Sequence, residues 1–240
     1  IFYEDEQDLI NKGGEYFDDN LPNKGIWHIY GGHRLWKCPE YLDTYYPDNA
    51  PVKVVEEKDG ICFISGVEET TGIQKTIKIN MSDDGNATVE HKFVNKGNTS
   101  TPPIALWALS VMDKGAKAYV PISTEDTGLL PNRNITLWSY TDLKDPRLDI
   151  QNGLITLSQA NDSHPIKIGT FASGAVKVDI KGMTFAIDFT SPDGEYGDHH
   201  CNIETYTNDI MLEIETLSPI KSMACGEEAV HIEKWSLNRQ

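Results

Sequence analysis

An alternation of apolar and polar side chains with a period of two recurs along this chain and constrains its fold more than any other feature. Successive side chains on a β-strand point to opposite faces, so each such segment predicts a strand with one buried face. Turn sequences that contain glycine separate the segments at short intervals, which favours hairpins and antiparallel pairing. The clearest alternating segments are Ile77–Ile79, Val89–Phe93, Val176–Ile180 and Leu212–Glu215.

Composition supports the same fold class. The chain contains 23 Ile and 18 Thr against 12 Ala, an excess of β-branched residues over strong helix formers. About fifteen short strands can be placed from the pattern, and only Glu4–Ile10 is predicted to be helical. Because no fixed-period repeat and no Pro- or Ser-rich linker divides the chain, we expect one all-β domain over residues 1–240, a large antiparallel sandwich or barrel.

The net charge restricts the partners. The formal charge of −16 at pH 7 repels phosphate backbones and anionic lipid surfaces, so neither nucleic acid nor a membrane is expected as a partner. No apolar run approaches the roughly 20 residues of a membrane helix. A small neutral molecule such as a sugar is compatible with this charge.

The cysteines bear on the cellular compartment. They are widely spaced and form no Cys-x-x-Cys pair, so we interpret them as reduced packing residues and predict a cytoplasmic location. Four Asn-x-Ser/Thr triplets and the even number of cysteines would also suit a secreted glycoprotein. The cysteines are Cys38, Cys62, Cys201 and Cys225.

The segment from Tyr30 to Glu40 is the first candidate site, because it concentrates an imidazole, a guanidinium, an indole and a carboxylate. Sugars offer hydroxyls to charged hydrogen-bonding groups and C–H faces to aromatic rings. His33, Arg34, Trp36 and Glu40 therefore suit a carbohydrate pocket. The alternative is a structural corner in which Arg34 pairs with Glu40 and Trp36 enters the core.

Carboxylates on a late strand form the second candidate site. Glu213 and Glu215 share one face of an extended strand, and paired carboxylates can raise one pKa, as general acid–base catalysis requires. The alternative is an exposed strand whose glutamates face water. Asp198, His200 and Glu204 are metal-ligand types, but their spacing does not indicate convergence, so no metal and no cofactor is predicted.

Several motifs together resemble a family of galactose mutarotase-like (aldose 1-epimerase-like) proteins that carries the label of a domain of unknown function. The resemblance covers nearly the whole chain and implies a β-supersandwich in which a large curved sheet presents a concave, sugar-binding face. Members usually open with two further strands around a Gly-Gly-Arg-like turn, which this chain is expected to lack. The motifs are Gly31–Trp36, Pro39–Glu40, Tyr46–Asn49, Ala105–Leu109, Pro131–Arg133, Asp145–Leu148, Lys167–Gly169, Glu213–Pro219, Gly226–Glu227 and His231–Trp235.

The resemblance also implies roles for residues. Ile214–Leu217 looks like the strand that carries the general base of aldose epimerases, so Glu215 inherits that role by position. Trp107 stands about where those enzymes carry an acid histidine, and His33 is the predicted replacement, aimed into the same concavity by the Gly31–Gly32 turn. The residues predicted to contact the sugar are Arg34, Trp36, Glu40, Trp107, Lys167, Glu204 and Glu213.

Three hypotheses follow for the function. The first is a sugar epimerase or mutarotase with Glu215 as the base. The second is a binding module without chemistry, which the missing histidine favours. The third is a metal-assisted lyase or hydrolase that uses Asp198, His200 and Glu204.

Overall fold

The computed structural model describes residues 1–2, 15–17, 26–28, 30–47, 50–161 and 163–240. Glu4–Ile10, the segment predicted to be helical, lies outside these residues. Within them, strands dominate, which confirms the all-β prediction. The described strands are β1 (Glu15–Phe17), β2 (Ile26–His28), β3 (Gly32–Cys38), β4 (Lys53–Glu57), β5 (Gly60–Val67), β6 (Ile73–Met81), β7 (Ala87–Asn95), β8 (Ala105–Met112), β9 (Lys117–Pro121), β10 (Ile135–Leu137), β11 (Leu148–Gln151), β12 (Leu154–Ser158), β13 (Ile166–Thr170), β14 (Val176–Ile180), β15 (Met183–Phe189), β16 (Ile203–Thr207), β17 (Leu212–Leu217) and β18 (Glu228–Arg239).

The helical content of the described residues is confined to two short turns. Leu42–Tyr45 forms one turn of 3₁₀ helix after β3. Gly197–His200 forms a second turn, in which the three residues after the glycine have positive φ angles of 47°, 57° and 70°. Left-handed backbone is uncommon for residues other than glycine, so this turn is held by its surroundings rather than by local preference.

Two antiparallel sheets make up most of the structure. The smaller has six strands in the order β10-β13-β16-β17-β8-β3, and the larger has ten in the order β11-β12-β9-β14-β15-β18-β7-β6-β5-β4. The last strand, β18, lies between β15 and β7 and so joins the strands on either side of it into one sheet. A separate pair is formed by β1 and β2.

The main core lies between the two sheets. Ile168, Ile203 and Ile214 from the six-stranded sheet pack with Val178 and Ile187 from the ten-stranded sheet, and all five are almost fully buried. The opposite face of the six-stranded sheet, called here the pocket face, carries a second apolar cluster that includes tryptophans.

Strand β8 is buried on both faces of the six-stranded sheet. All eight residues of Ala105–Met112 are buried, because one set of side chains enters the core and the alternate set enters the pocket-face cluster. A continuous apolar run is typical of a central strand covered on both sides.

The structure tests the predictions on the cysteines and on membrane helices but not the prediction on the number of domains. All four cysteines are free thiols, and Cys38, Cys62 and Cys201 are buried, as packing residues should be, whereas Cys225 is exposed and the packing prediction is wrong for it. Among the described residues, no helix is long and apolar enough to span a membrane. The single domain over 1–240 stays a prediction.

Candidate functional site

The pocket face gathers residues that are far apart in the sequence. Arg34 of β3 pairs with Leu109 of β8, Leu109 pairs with Glu215 of β17, and Glu215 pairs with Glu204 of β16. Arg34 and Glu215 are therefore two strand spacings apart, roughly 10 Å. Glycine at position 169 completes this row, because a Cβ there would lie 2.7 Å from Sγ of Cys201 and 3.2 Å from Cγ of Glu204.

A pocket of about 430 Å³ opens on this face. Its volume is in the range of small-molecule sites, and its wall combines aromatic rings with a few charged groups, as such sites usually do. Six of the seven predicted contact residues line this wall, and the seventh, Glu204, lies 2.8 Å from Nζ of Lys167. The lining residues are Trp27, Arg34, Trp36, Glu40, Tyr45, Trp107, Leu109, Tyr140, Pro165, Lys167, Tyr206, Met211 and Glu213.

Lys167 is the centre of a buried ionic group, called here the lysine cluster and formed by Lys167, Glu204, Glu215 and Trp107. Its Nζ lies 2.8 Å from Oε2 of Glu204 and donates a hydrogen bond of 2.8 Å to Oε2 of Glu215. The ammonium also lies 4.4 Å from the ring centroid of Trp107 and 4.7 Å from that of Trp138. Cation–π attraction of this kind stabilises a desolvated ammonium.

The charges of the lysine cluster do not cancel in full. Burial by itself would lower the pKa of Lys167, but the carboxylates of Glu204 and Glu215 outweigh burial and hold that pKa well above its ordinary value. One ammonium cannot neutralise two carboxylates, and burial raises the pKa of Glu204 well above its ordinary value. Glu204 therefore binds a proton more readily than an exposed glutamate does.

Glu215, the predicted base, is sealed beneath the pocket. Its side chain has no exposed surface, and Oε2 accepts hydrogen bonds from Nε1 of Trp107 and Nζ of Lys167, each 2.8 Å long. Both of these bonds end on Oε2, and no part of the carboxylate is exposed to the pocket. Its Oε1 has no hydrogen-bond partner within the described residues.

Glu213 occupies a different environment two residues earlier on the same strand. It lines the pocket and is nearly buried, at 9% exposure. Burial, and then the charge of Glu215, raise the pKa of Glu213 to about 7, although Arg34 and Lys167 oppose the shift. A carboxyl group with this pKa can both accept and donate a proton near neutral pH.

Arg34 fills one end of the pocket wall. Its guanidinium carbon lies 4.6 Å from the ring centroid of Trp27 and 4.9 Å from that of Trp36, and Nη2 donates to the carbonyl of Tyr30. Within the described residues, no acceptor reaches the buried indole N–H of Trp27 or Trp36. These two donors belong to rings that line the pocket beside the guanidinium of Arg34.

Glu40 lies on the same wall, where it accepts a hydrogen bond from the hydroxyl of Tyr45. The sequence alternative, in which Arg34 pairs with Glu40, is not the arrangement seen here. A second cavity of about 460 Å³ shares Glu40, Tyr45 and Lys167 with the pocket, and Trp138 lines it as well.

His33 does not reach this pocket. Because side chains alternate along β3, His33 points to the face opposite to Arg34 and Trp36, between the two sheets. There Nδ1 lies 2.9 Å from Oγ of Ser110 and Nε2 lies 2.6 Å from Nε2 of His91. The Gly31–Gly32 turn therefore does not aim the imidazole into the concavity, and the predicted placement of the replacement acid is corrected.

The third hypothesis, with Asp198, His200 and Glu204 as metal ligands, is not favoured. His200 stacks on Phe171, Asp198 accepts a hydrogen bond from the thiol of Cys38, and Glu204 pairs with Lys167. Among the described residues these three side chains form no group of converging ligand atoms.

Sequence reasoning did not name Tyr206, Tyr140 or Trp138 as site residues. The last two belong to the segment 129–148, which the sequence predicts to be a long surface loop, and long loops often shape sites on β scaffolds. Thr141 anchors this segment by exchanging hydrogen bonds with the backbone of Lys167, at 2.6 and 3.0 Å. Tyr206 could be found only from its pairing with Glu213 across β16 and β17.

Comparison with known proteins gives a fold-level result. No protein-family model and no curated protein sequence matches this chain. A solved structure assigned as an aldose 1-epimerase from Klebsiella pneumoniae is similar over 91% of this chain and 59% of its own, with 11% identity and a TM-score of 0.50. One assigned as a mutarotase from Salmonella typhimurium is similar over 94% of this chain and 80% of its own, with 12% identity and a TM-score of 0.50.

The chain therefore spans about three fifths of the length of the Klebsiella protein. At identities this low, the likeness establishes the fold and leaves the function to the site. The fold is the galactose mutarotase-like, aldose 1-epimerase-like β-sandwich, as the sequence motifs predict.

Proposed function

We propose that this chain binds a neutral carbohydrate in the pocket and interconverts its anomers, as an aldose 1-epimerase-like mutarotase. One observation carries the proposal: Glu213, a carboxyl group whose pKa is raised to about 7, lines a pocket walled by tryptophan and tyrosine rings. Aromatic rings stack on the C–H faces of sugars, and charged side chains hold their hydroxyls. The fold shared with proteins assigned as epimerases supports the same class of ligand.

Mutarotation requires one proton to leave the anomeric hydroxyl and another to reach the ring oxygen while the bond from C1 to the ring oxygen breaks. We assign the first step to the ionised form of Glu213. Reclosure on the other face of C1 reverses both transfers and returns the proton from Glu213. The pKa of the group near 7 favours transfer in both directions.

We assign the donor to the ring oxygen to Tyr206. It lies directly opposite Glu213 in the pairing of β16 with β17 and lines the same pocket. His33 has no part in this proposal, because it lies on the other face of the sheet. Lys167 and Glu215 shape the floor: their mutual hydrogen bond fixes the ammonium below the pocket, where it attracts hydroxyl oxygens without transferring a proton.

The resemblance places the general base at Glu215, whereas burial and hydrogen bonding favour Glu213, and the two assignments can be separated. Anomer exchange would be followed by two-dimensional NMR exchange spectroscopy on a panel of aldoses. We expect Glu213→Gln to slow the exchange about 10² to 10⁴-fold, the usual effect of losing a general base, with little change in affinity.

Glu215→Gln is the matched control on the same strand and face. We expect it to perturb binding more than turnover, because it replaces the negative charge that holds Lys167 with a neutral amide. If Glu215→Gln abolishes exchange while Glu213→Gln leaves it intact, the assignment to Glu213 is wrong and the base lies at Glu215.

The second candidate function is carbohydrate binding without chemistry. It is favoured by the lack of a histidine among the described residues that line the pocket. In this case sugars would alter the fluorescence of the pocket tryptophans, while the wild-type protein would not accelerate anomer exchange above buffer.

A further inference from the structure

A second group of titratable side chains lies between the two sheets, outside the proposed sugar site. It is called here the histidine cluster and is formed by His33 of β3, His91 of β7 and Glu233 of β18. The core between the two sheets is mainly apolar, so three such groups at one point require an explanation.

Ligand atoms of the three residues converge. Nε2 of His33, Nε2 of His91 and one carboxylate oxygen of Glu233 all lie within 4.8 Å of one another. The two nitrogens are 2.6 Å apart, and Nε2 of His33 is 3.9 Å from Oε2 of Glu233. His91 and Glu233 are fully buried, whereas His33 is partly accessible.

The outer hydrogen bonds orient each group toward the centre. Nδ1 of His91 lies 3.1 Å from the carbonyl oxygen of His231, which can only accept, so Nδ1 carries the proton and Nε2 presents its lone pair. Nδ1 of His33 meets the hydroxyl of Ser110, which can accept in the same way.

Glu233 is held from both sides as well. The hydroxyl of Thr216 donates to Oε1 and the indole Nε1 of Trp235 donates to Oε2, at 2.6 and 2.7 Å. Imidazoles fixed through their far nitrogen, beside a carboxylate with its own donors, are the usual outer shell of a protein metal site.

A proton or a metal ion must lie between the two nitrogens. Two lone pairs 2.6 Å apart repel each other, so either His33 carries a proton on Nε2 and donates it to His91, or a cation stands between them. No lysine or arginine of the described residues pairs with Glu233, unlike the carboxylates beside Lys167.

We propose that the histidine cluster is a binding site for a divalent transition metal of the zinc class. Two imidazole nitrogens and one carboxylate oxygen suit such ions, and a water completes a four-coordinate shell. Bonds of about 2.0–2.1 Å in a tetrahedral arrangement separate two nitrogens by roughly 3.3 Å, so the rings must move apart by about 0.7 Å.

The position of the histidine cluster determines how an ion would reach it and which parts of the fold the ion would link. His33 lies on the wall of a cavity of about 210 Å³, which gives an ion a route from solvent. The ligands come from both sheets, so the metal would join them across the core. This inference is independent of the proposed sugar chemistry, which takes place on the other face of the six-stranded sheet.

The test is a titration of chelator-treated protein with Zn²⁺ and with Co²⁺, read by calorimetry, visible absorption and thermal unfolding. We expect one tight equivalent per chain, four-coordinate Co²⁺ absorption, and an increase in Tm of about 5 to 10 °C at a hundredfold excess over Kd. His33→Asn should remove the tight equivalent and the increase in Tm.

The adjacent His199 and His200 could bind a metal at the surface, so the variant His199→Gln with His200→Gln is the matched control and should keep the site. The proposal is overturned if wild type binds no equivalent, if this control loses it, or if His33→Asn retains it. Should His33→Asn fail to fold, the wild-type Co²⁺ spectrum decides, because a six-coordinate, water-like spectrum at one equivalent also refutes the site.

Discussion

The lysine cluster and the histidine cluster lie back to back on opposite faces of one sheet, and they balance buried carboxyl groups by different means. Adjacent residues of β17 serve both: Glu215 belongs to the lysine cluster, and the hydroxyl of Thr216 donates to Glu233 of the histidine cluster. The lysine cluster places a permanent cation between its carboxyl groups, whereas the histidine cluster has only imidazoles beside Glu233.

The difference shows what each arrangement can do. A lysine held by two carboxylates fixes a charge in one place, which suits the floor of a binding pocket. Imidazoles with bare nitrogens leave a position that a proton or a metal can fill. Substitutions in each cluster test whether the two clusters contribute independently to stability and to sugar binding.

The largest expected effect is that of Lys167→Met. The substitution leaves the carboxyl groups of Glu204 and Glu215 buried without their cation, and removing one partner of a buried ion pair lowers the free energy of unfolding by about 3–5 kcal/mol. Urea unfolding at pH 7 measures the loss. Adding Glu204→Gln should recover part of it, and a loss below about 1 kcal/mol would contradict the view that the lysine stabilises both carboxyl groups.

The second prediction concerns pH and Glu213. Its pKa is raised from 4.5 to about 7, so the folded state binds more protons than the unfolded state between these values, and stability falls as pH rises through this window. At 1.36 kcal/mol per pKa unit, the loss is about 3 kcal/mol above pH 7. Glu213→Gln should remove that part of the slope in unfolding experiments from pH 4 to 8; equal slopes in both proteins would refute the shifted pKa.

Thr216→Val is expected to have a smaller effect, confined to the histidine cluster. The hydroxyl donates to Glu233 and contacts Nε2 of His231, and its loss leaves buried polar atoms without a partner, at about 1–3 kcal/mol. Denaturant midpoints measure this loss. Sugar affinity should stay unchanged, because the side chain faces away from the pocket; a parallel loss of affinity would show that the two faces are coupled.

The smallest effect is expected for Lys78→Met, which is matched to Lys167→Met. Lys78 also lies between two carboxylates, 2.8 Å from Glu57 and 2.9 Å from Asp59, but the group is exposed to water. Solvent screening makes such pairs contribute little, so the unfolding midpoint should not change measurably. If Lys78→Met lowered the unfolding midpoint as much as Lys167→Met, burial would not explain the stabilisation that Lys167 provides.

Part of the candidate site can be predicted from the sequence. Alternation along β17 was enough to place Glu213 and Glu215 on one face, and the segment from Tyr30 to Glu40 does supply Arg34, Trp36 and Glu40 to the pocket. The same alternation separates His33 from Arg34, so period two, applied residue by residue, would have excluded the imidazole from that face.

The rest depends on contacts that no local pattern encodes. His91 meets His33 and Glu233 only because β7 pairs with β18 and the two sheets pack together, and these residues are 58 and 142 positions from His91 in sequence. The burial that distinguishes Glu213 from Glu215 depends on where the tryptophans pack. A single sequence supplies the side chains but not the register of strands this distant.

Strand β17 also has to be aligned correctly when the sheet assembles. Were it to slide by one residue against its neighbours β8 and β16, every side chain would change sides, and Glu213 and Glu215 would face the apolar layer between the sheets. Lys167 would remain on the opposite side, so two acids would lose their counter-charge at the moment they were desolvated. The charged residues of this strand therefore add their own penalty to misalignment, in a structure built mainly from contacts between distant parts of the chain.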